Sequence, residues 1–95
     1  MTRPKKLDVD AIAAELQGMQ GWELADGKLH KTFKFTDFIA AWGFMCKCAL
    51  IAQAMDHHPE WFNVYNTVRV DLSTHDAGGI TSLDFALARK MDLQV

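Results

Sequence analysis

Residues 56–75 read DHHPEWFNVYNTVRVDLSTH, and we predict that they contain two consecutive β-strands. Apolar or small side chains alternate with polar ones over Val68–Thr74, which is the pattern of a strand with one buried face. A shorter strand precedes it at Trp61–Val64, and Tyr65-Asn66-Thr67 forms the turn between the two. Pro59 separates this hairpin from the preceding helix, because proline disfavours helical geometry in the residue before it.

Before this hairpin, a long helix is predicted from a cap at Thr36 or Asp37 to about Met55. It carries more than one apolar stripe, whereas a surface helix needs only one. The apolar residues of these stripes are Phe38, Ile39, Trp42, Phe44, Met45, Cys46, Ala49, Leu50 and Ala52. We therefore expect the helix to be buried on two sides, once against its own sheet and once against another subunit.

The first part of the chain repeats the order of helix and hairpin. A helix is predicted at about 9–18, capped by Asp8 or Asp10. Strands at 22–24 and 28–35 flank Asp26-Gly27, and Asp-Gly is a strong signal for a hairpin turn. Lys31 is the one charged residue on the apolar face of the second strand.

The chain closes with a loop and a third helix. Residues 76–79 form the loop, and the sequence 81–84, Thr-Ser-Leu-Asp, resembles a capping box at the start of a helix that runs to about Asp92. The predicted order is α-β-β-α-β-β-α. We expect an α+β fold: a four-stranded antiparallel sheet with three helices packed on one face.

The composition limits the classes of protein that this chain can belong to. With 95 residues it has room for one modest core, which excludes a two-domain enzyme with a nucleotide-binding fold. A net charge of −2 provides no electrostatic surface for binding nucleic acid. Cys46 and Cys48 are too few for a disulfide framework and indicate a reducing compartment. We find no signal peptide and no segment approaching the ~20 apolar residues of a membrane span, so we expect a cytoplasmic protein.

Three of the four histidines lie close together in the sequence, at the ends of predicted elements. His57 and His58 follow the long helix, and His75 ends the last strand. If the second hairpin pairs as predicted, all three lie at one end of the sheet, near Asp56, Asp76 and Asp84. Histidine is the side chain best suited to proton exchange near neutral pH, so the three predict an acid–base site.

Other interpretations of these residues remain open. A His-His pair at the end of a helix also suits a solvated terminus that interacts with the helix dipole, and Asp84 is placed to cap the last helix. A zinc site is less favoured because the spacing matches none of the common ligand motifs. Trp61 and Phe62 are either core residues or an aromatic wall for a flat heterocycle. His30, alone on its strand, is expected at the surface.

The stretch Asp56–Asn66, the sequence Leu72-Ser73-Thr74-His75 and Asp84 together resemble the pterin-4a-carbinolamine dehydratase family, as does Trp42–Met45. The resemblance covers about residues 20–92. It implies that residues 1–95 form a single pterin-4a-carbinolamine dehydratase-like domain. It also implies an activity, the dehydration of 4a-hydroxytetrahydrobiopterin to quinonoid dihydropterin without metal or cofactor, which supports tetrahydrobiopterin recycling.

The resemblance also implies which residues form the site. His57, His58 and His75 match the catalytic histidines of the family. The matching substrate-binding residues are Asp56, His57, His58, Ser73, Thr74, His75 and Asp76, with Gln53, Trp61 and Asp84 in supporting positions. Many members of the family carry glutamate where this chain has Gln53. An amide at that position can still orient a histidine ring, but it adds no charge.

Two further functions stay open beside the dehydratase. Vertebrate members of the family act as dimerisation cofactors of a transcription factor through their long helix, and the two apolar stripes of residues 37–55 suit such a role. Homo-oligomerisation through this helix and a sheet edge, as a dimer or a tetramer, is the simpler interpretation of the same stripes. The third possibility is a pterin-related role in molybdenum-cofactor metabolism.

Overall fold

A polar side chain caps each of the three α-helices. The computed structural model describes residues 4–95. Helix α1 (Val9–Leu16) begins where the Asp8 carboxylate accepts the Ala11 N–H, and helix α2 (Phe38–Met55) begins in the same way at Asp37. Helix α3 (Ser82–Asp92) begins with a capping box formed by Thr81 and Asp84. Helix α1 ends two residues earlier than predicted, just before Gly18, because glycine is a poor helix former.

Two tight hairpins build the sheet. Strands β1 (Glu23–Ala25) and β2 (Lys28–Lys34) are joined by Asp26-Gly27, and both turn residues have positive φ, as a primed two-residue turn requires. Strand β3 (Glu60–Val64) and strand β4 (Thr67–Leu72) form the second hairpin. All strand pairs are antiparallel, in the order β1-β2-β4-β3. The predicted element order and α+β class are confirmed.

The core lies between one face of the sheet and the helices. The sheet contributes Leu29 and Phe33 from β2 and Val68, Val70 and Leu72 from β4, all buried. Helix α2 packs on them with Ala41, Phe44, Cys48 and Ala52, and α3 with Phe85, Leu87, Ala88 and Met91. Helix α1 contributes Ile12 to the same buried cluster, so all three helices pack on the core side of the sheet, as predicted.

Lys31 lies on this inner face, and the structure explains how a charge is tolerated there. Its ammonium group lies 2.8 Å from Asp92 Oδ1 and donates to the Gln20 carbonyl at 3.0 Å. It also lies 4.7 Å from the centre of the Phe33 ring. The charge is paired at the margin of the core, so burial costs little.

Strand β4 is shorter than predicted, and this difference shapes one end of the sheet. The strand ends at Leu72, and Thr74 pairs with Gly79 in an isolated bridge. The backbone closes on itself because the Gly78 N–H donates to the Thr74 carbonyl at 3.1 Å. His75–Ala77, which includes part of the predicted loop, forms a single 3₁₀ turn between the two.

The length and composition of helix α2 contradict one expectation from the sequence, which concerned membrane spans. Among residues 4–95 it is the one helix whose length and composition alone suit a membrane span, with 18 residues and a mean hydropathy of 1.5. The expectation that no segment approaches such a length was therefore wrong. A single helix of this kind is weak evidence for a span, since the core helices of soluble proteins meet the same criterion.

Candidate active site

The chain turns sharply at the end of α2 and directs two histidines towards the end of the sheet. Asp56 adopts a left-handed conformation with φ 51°, which aspartate tolerates better than most residues. The His57 N–H then donates to the Ala52 carbonyl at 3.0 Å. This hydrogen bond fixes the backbone of His57 against the last turn of the helix.

The start of β3 and the end of β4 are neighbours, because Glu60 pairs with Asp71. The segment before β3 and the turn after β4 therefore meet at the same end of the sheet. They enclose a cleft of about 260 Å³. Its lining residues are Asp56, His57, His58, Ser73, Thr74, His75 and Asp76. The structure thus brings together the three histidines and every residue that the sequence suggested for substrate binding.

His57 is the buried histidine of the cleft, with 6% of its surface exposed, and it is held by a buried carboxylate. Its Nε2 lies 2.6 Å from Asp84 Oδ1. A carboxylate accepts hydrogen bonds, so Nε2 carries a proton and Nδ1 is the acceptor nitrogen of the neutral ring. The pairing fixes both the tautomer and the orientation of His57.

Asp84 is completely buried and forms hydrogen bonds with both of its oxygens. Oδ2 accepts the Thr74 hydroxyl at 2.9 Å and the Thr81 N–H at 2.9 Å. Asp84 therefore caps α3 and orients a histidine at the same time. The histidine that Asp84 orients is His57 and not His75.

His58 lies on the exposed side of the cleft. Its ring is oriented by Gln53, the residue that stands where many family members carry glutamate. Its Nε2–H donates to Gln53 Oε1 at 2.9 Å, across the end of α2. The amide therefore orients a histidine ring without adding a charge. His75 is exposed at the start of the 3₁₀ turn on the opposite side of the cleft.

Two aromatic candidates lie outside this cleft. Trp61 is half-buried and lines a different cavity, of about 520 Å³, together with α2 residues that include Trp42 and Leu50. The Phe62 ring is exposed and stacks under the Arg69 guanidinium, 4.4 Å from ring centre to Cζ. The idea of an aromatic wall beside the histidines is therefore not supported for either residue.

His30 lies away from the cleft, on β2, where its Nδ1 is 2.9 Å from Asp71 Oδ1. Within residues 4–95, no cluster of three or more His, Cys, Asp or Glu side chains has the geometry to hold a metal ion. Sequence reasoning missed Thr81 as part of the site. Its position as the N-cap of α3 was the available signal, because its hydroxyl lies next to both Thr74 and Asp84.

Comparison with known proteins assigns the family. The family model described as pterin 4 alpha carbinolamine dehydratase matches residues 5–94. The chain belongs to the pterin-4a-carbinolamine dehydratase family. A Sinorhizobium fredii relative assigned by name to these dehydratases is 58% identical over 92 residues, which cover 95% of this chain and 88% of the relative. One from Solibacter usitatus is 56% identical over 87 residues, or 92% of each chain.

Two solved structures are similar to this dehydratase-family chain. A transcriptional coactivator/pterin dehydratase from Brucella melitensis superposes with a TM-score of 0.91 at 44% identity. The match covers 95% of this chain and 98% of that one. A pterin dehydratase-like RuBisCO assembly factor of the alpha-carboxysome matches with a TM-score of 0.67 at 19% identity, covering 80% and 90% of the two chains. This second likeness shows a shared fold only.

Proposed function

We propose that this family member is a single-domain lyase that dehydrates 4a-hydroxytetrahydrobiopterin to quinonoid dihydropterin and water, and so supports tetrahydrobiopterin recycling. The observation that carries the proposal is the cleft in which three histidines meet, with His57 bonded to the buried Asp84. A cleft of about 260 Å³ has room for a small bicyclic ligand.

The reaction removes hydroxide from C4a and a proton from N5. We assign His57 as the base for the N5 proton, because its Nε2–H is bonded to Asp84 and Nδ1 is left to accept. The buried carboxylate then stabilises the imidazolium that forms. His75, as imidazolium, protonates the departing hydroxyl to give water. Solvent exchange returns a proton to His75 and removes one from His57.

His58 has a binding role in this proposal. Its ring is held by Gln53 rather than by a charged group, and it faces the cleft from the exposed side. Of the remaining lining residues, we assign Asp56, Ser73 and Asp76 to substrate binding, whereas the Thr74 hydroxyl is bonded to Asp84. The steps use side chains of this chain alone, without a cofactor.

The activity is tested by following the ultraviolet signature of a 4a-carbinolamine that a pterin-dependent hydroxylase generates in situ. We expect the protein to accelerate the decay of this signature above the rate in buffer, and His75→Ala to lose the acceleration. Equal decay in buffer and with folded wild-type protein would refute the dehydratase. Binding of an oxidised pterin, measured in parallel, reports whether the cleft is intact.

We also propose that the protein forms homo-oligomers through α2 and a sheet edge. The outer face of α2 leaves large apolar side chains exposed, including Trp42 at 53% and Leu50 at 74%. Strand β3 lies at one edge of the sheet, and its Phe62 and Val64 are also exposed. Covering these apolar surfaces favours association with a second copy.

The free cysteines support a cytoplasmic location.

The same outer face of α2 favours a second candidate function, that of a dimerisation cofactor for a transcription factor. The Brucella melitensis neighbour is described as a transcriptional coactivator as well as a pterin dehydratase. The test is whether an added partner protein replaces the second copy on α2. A complex that contains only copies of this chain would argue against the cofactor role.

A further inference from the structure

Two buried hydroxyl groups, those of Thr81 and Thr74, are hydrogen-bonded to each other, and the second is bonded to Asp84, the partner of His57. Thr74 and Thr81 have exposed fractions of 2% and 0%. Thr81 Oγ1 lies 2.7 Å from Thr74 Oγ1, and Thr74 Oγ1 donates to Asp84 Oδ2 at 2.9 Å. Since the Thr74 proton is directed to the carboxylate, the hydrogen bond between the two hydroxyls uses the proton of Thr81.

The hydrogen bonds to Oδ2 determine where the other oxygen of Asp84 points. The Thr81 N–H and the Thr74 hydroxyl hold Oδ2 from two directions. The carboxylate plane is therefore fixed, and Oδ1 is aimed at His57 Nε2. Thr74 comes from the segment after β4, so its hydroxyl ties Asp84 to the opposite wall of the cleft.

We propose that Thr74 is a positioning residue, which acts through Asp84 to hold His57 with Nε2 protonated and Nδ1 available in the cleft. The inference rests on the proposed dehydration and deepens it. A competing role is direct contact between the Thr74 hydroxyl and the pterin. That hydroxyl is already committed to Asp84 and Thr81 and is almost inaccessible, so the structure favours the indirect role.

The test compares Thr74→Val, which removes the hydroxyl at similar volume, with Thr74→Ser, which keeps it. We expect Thr74→Val to lower kcat roughly tenfold or more, because a hydrogen bond to a charged group is lost. KM should change by less than about twofold, since the hydroxyl does not bind substrate. Thr74→Ser should recover most of the lost rate. If Thr74→Val does not fold, Thr74→Ala against Thr74→Ser makes the same comparison.

A double-mutant cycle with Asp84→Asn separates the two roles. If Thr74 acts through Asp84, Thr74→Val should lower kcat by less than about twofold in the Asp84→Asn background. If its hydroxyl binds the pterin, the two losses should multiply. Full multiplication, or a Thr74→Val enzyme with the wild-type kcat, would overturn the proposal.

A nitrogen NMR spectrum of the His57 ring makes the test independent of turnover. We expect the Nε2-protonated tautomer in wild type and a mixture of tautomers in Thr74→Val. An unchanged ring spectrum in Thr74→Val overturns the positioning role, whatever the activity. Loss of the proposed function is seen separately, as a wild-type protein that fails to accelerate dehydration.

Discussion

Asp84 links the stability of the fold to the chemistry of the cleft. Its two oxygens accept hydrogen bonds from the His57 ring, the Thr74 hydroxyl and the Thr81 N–H, and the residue has no exposed surface. A buried carboxylate needs such partners to offset the cost of leaving water. The same bonds that satisfy Asp84 also orient the proposed base.

Asp84→Asn should impair both stability and turnover. An amide replaces one acceptor oxygen with an NH₂ donor group, which would face either the His57 Nε2–H or the Thr74 and Thr81 donors, and such a buried mismatch costs about 1–3 kcal/mol. We expect a lower melting temperature and a kcat reduced at least about tenfold, measured by calorimetry and the carbinolamine assay. Asp37→Asn is the matched control, because asparagine caps a helix as well as aspartate does. An Asp84→Asn enzyme that matches this control would contradict the role of Asp84.

Gln53→Ala should weaken substrate binding rather than turnover. The change removes the acceptor for His58 Nε2–H, so the ring loses its orientation. One hydrogen bond of this kind corresponds to roughly a two- to tenfold rise in KM, with kcat nearly unchanged. Steady-state kinetics provide the measurement, and Gln20→Ala is the control, since Gln20 is exposed and lies outside the cleft. A fall in kcat at constant KM would assign His58 to catalysis instead.

At the scale of single residues, the sequence predicted the members of the cleft but not their pairing. The histidines were visible because each lies at the end of an element, and Asp84 because it occupies a capping position. That His57 and not His75 bonds to Asp84 depends on how α3 packs beside the end of α2. Contacts between residues 27 positions apart are set by the tertiary fold and leave no local pattern.

One face of helix α2 is buried and the other is exposed, and each face carries one cysteine. Cys48 is on the buried face, where burial raises the pKa of its thiol to about 12. Cys46 is on the exposed face and lines the cavity beside Trp61. The thiolate is the reactive form, and Cys48 stays protonated at every pH below its raised pKa.

A thiol titration at about pH 8 therefore distinguishes the two cysteines, because the reagent reaches the exposed Cys46 and Cys48 is buried and protonated. In the native protein, we expect Cys48 not to react with an aromatic disulfide reagent. In the unfolded protein, both thiols should react completely within the same time. Cys46 should react in the native protein, more slowly where a second copy covers α2. The Cys46→Ser variant isolates Cys48. Rapid labelling of native Cys46→Ser would contradict the burial of Cys48.

The boundaries of the elements show what local patterns predict and what they miss. The predictions of a turn at Asp26-Gly27 and of a capping box at 81–84 are confirmed, because their sequence signals involve only neighbouring residues. The strand pattern over Val68–Thr74 continued past the real end of β4 at Leu72. The chain leaves the sheet there because the Thr74 backbone pairs with Gly79, a contact that the alternation of side chains does not encode.

Among residues 4–95, the outer face of helix α2 is an apolar surface that the core does not use. Ile39, Trp42 and Leu50 on α2 are exposed at 73%, 53% and 74%, although the helix packs its other face on the sheet. Ala41, Phe44, Cys48 and Ala52 on the inner face of the helix are buried in the core. The proposed contact with a second copy needs only this outer face, which fits the two apolar stripes in the sequence.

Leu50→Glu should therefore shift the protein to a smaller assembly without unfolding it. Leu50 is exposed in the single chain, so the fold tolerates a charge there, whereas a covered interface does not. Size-exclusion chromatography with light scattering gives the mass. Val9→Glu is the control, because Val9 is equally exposed at 73% but lies on α1. Wild-type protein that is monomeric at micromolar concentration would contradict the proposed interface.

The roles proposed for His57 and His75 require that the histidine cleft dehydrates a pterin carbinolamine. The direct measurement is the rate of carbinolamine decay with wild-type, His57→Ala, His75→Ala and His30→Ala proteins at equal concentration. We predict that His57→Ala and His75→Ala each lower kcat at least about tenfold, the scale of acid–base catalysis, with the fold intact. His30→Ala should keep the wild-type rate, since His30 pairs with Asp71 away from the cleft. Wild-type turnover in both the His57→Ala and His75→Ala variants would contradict the account.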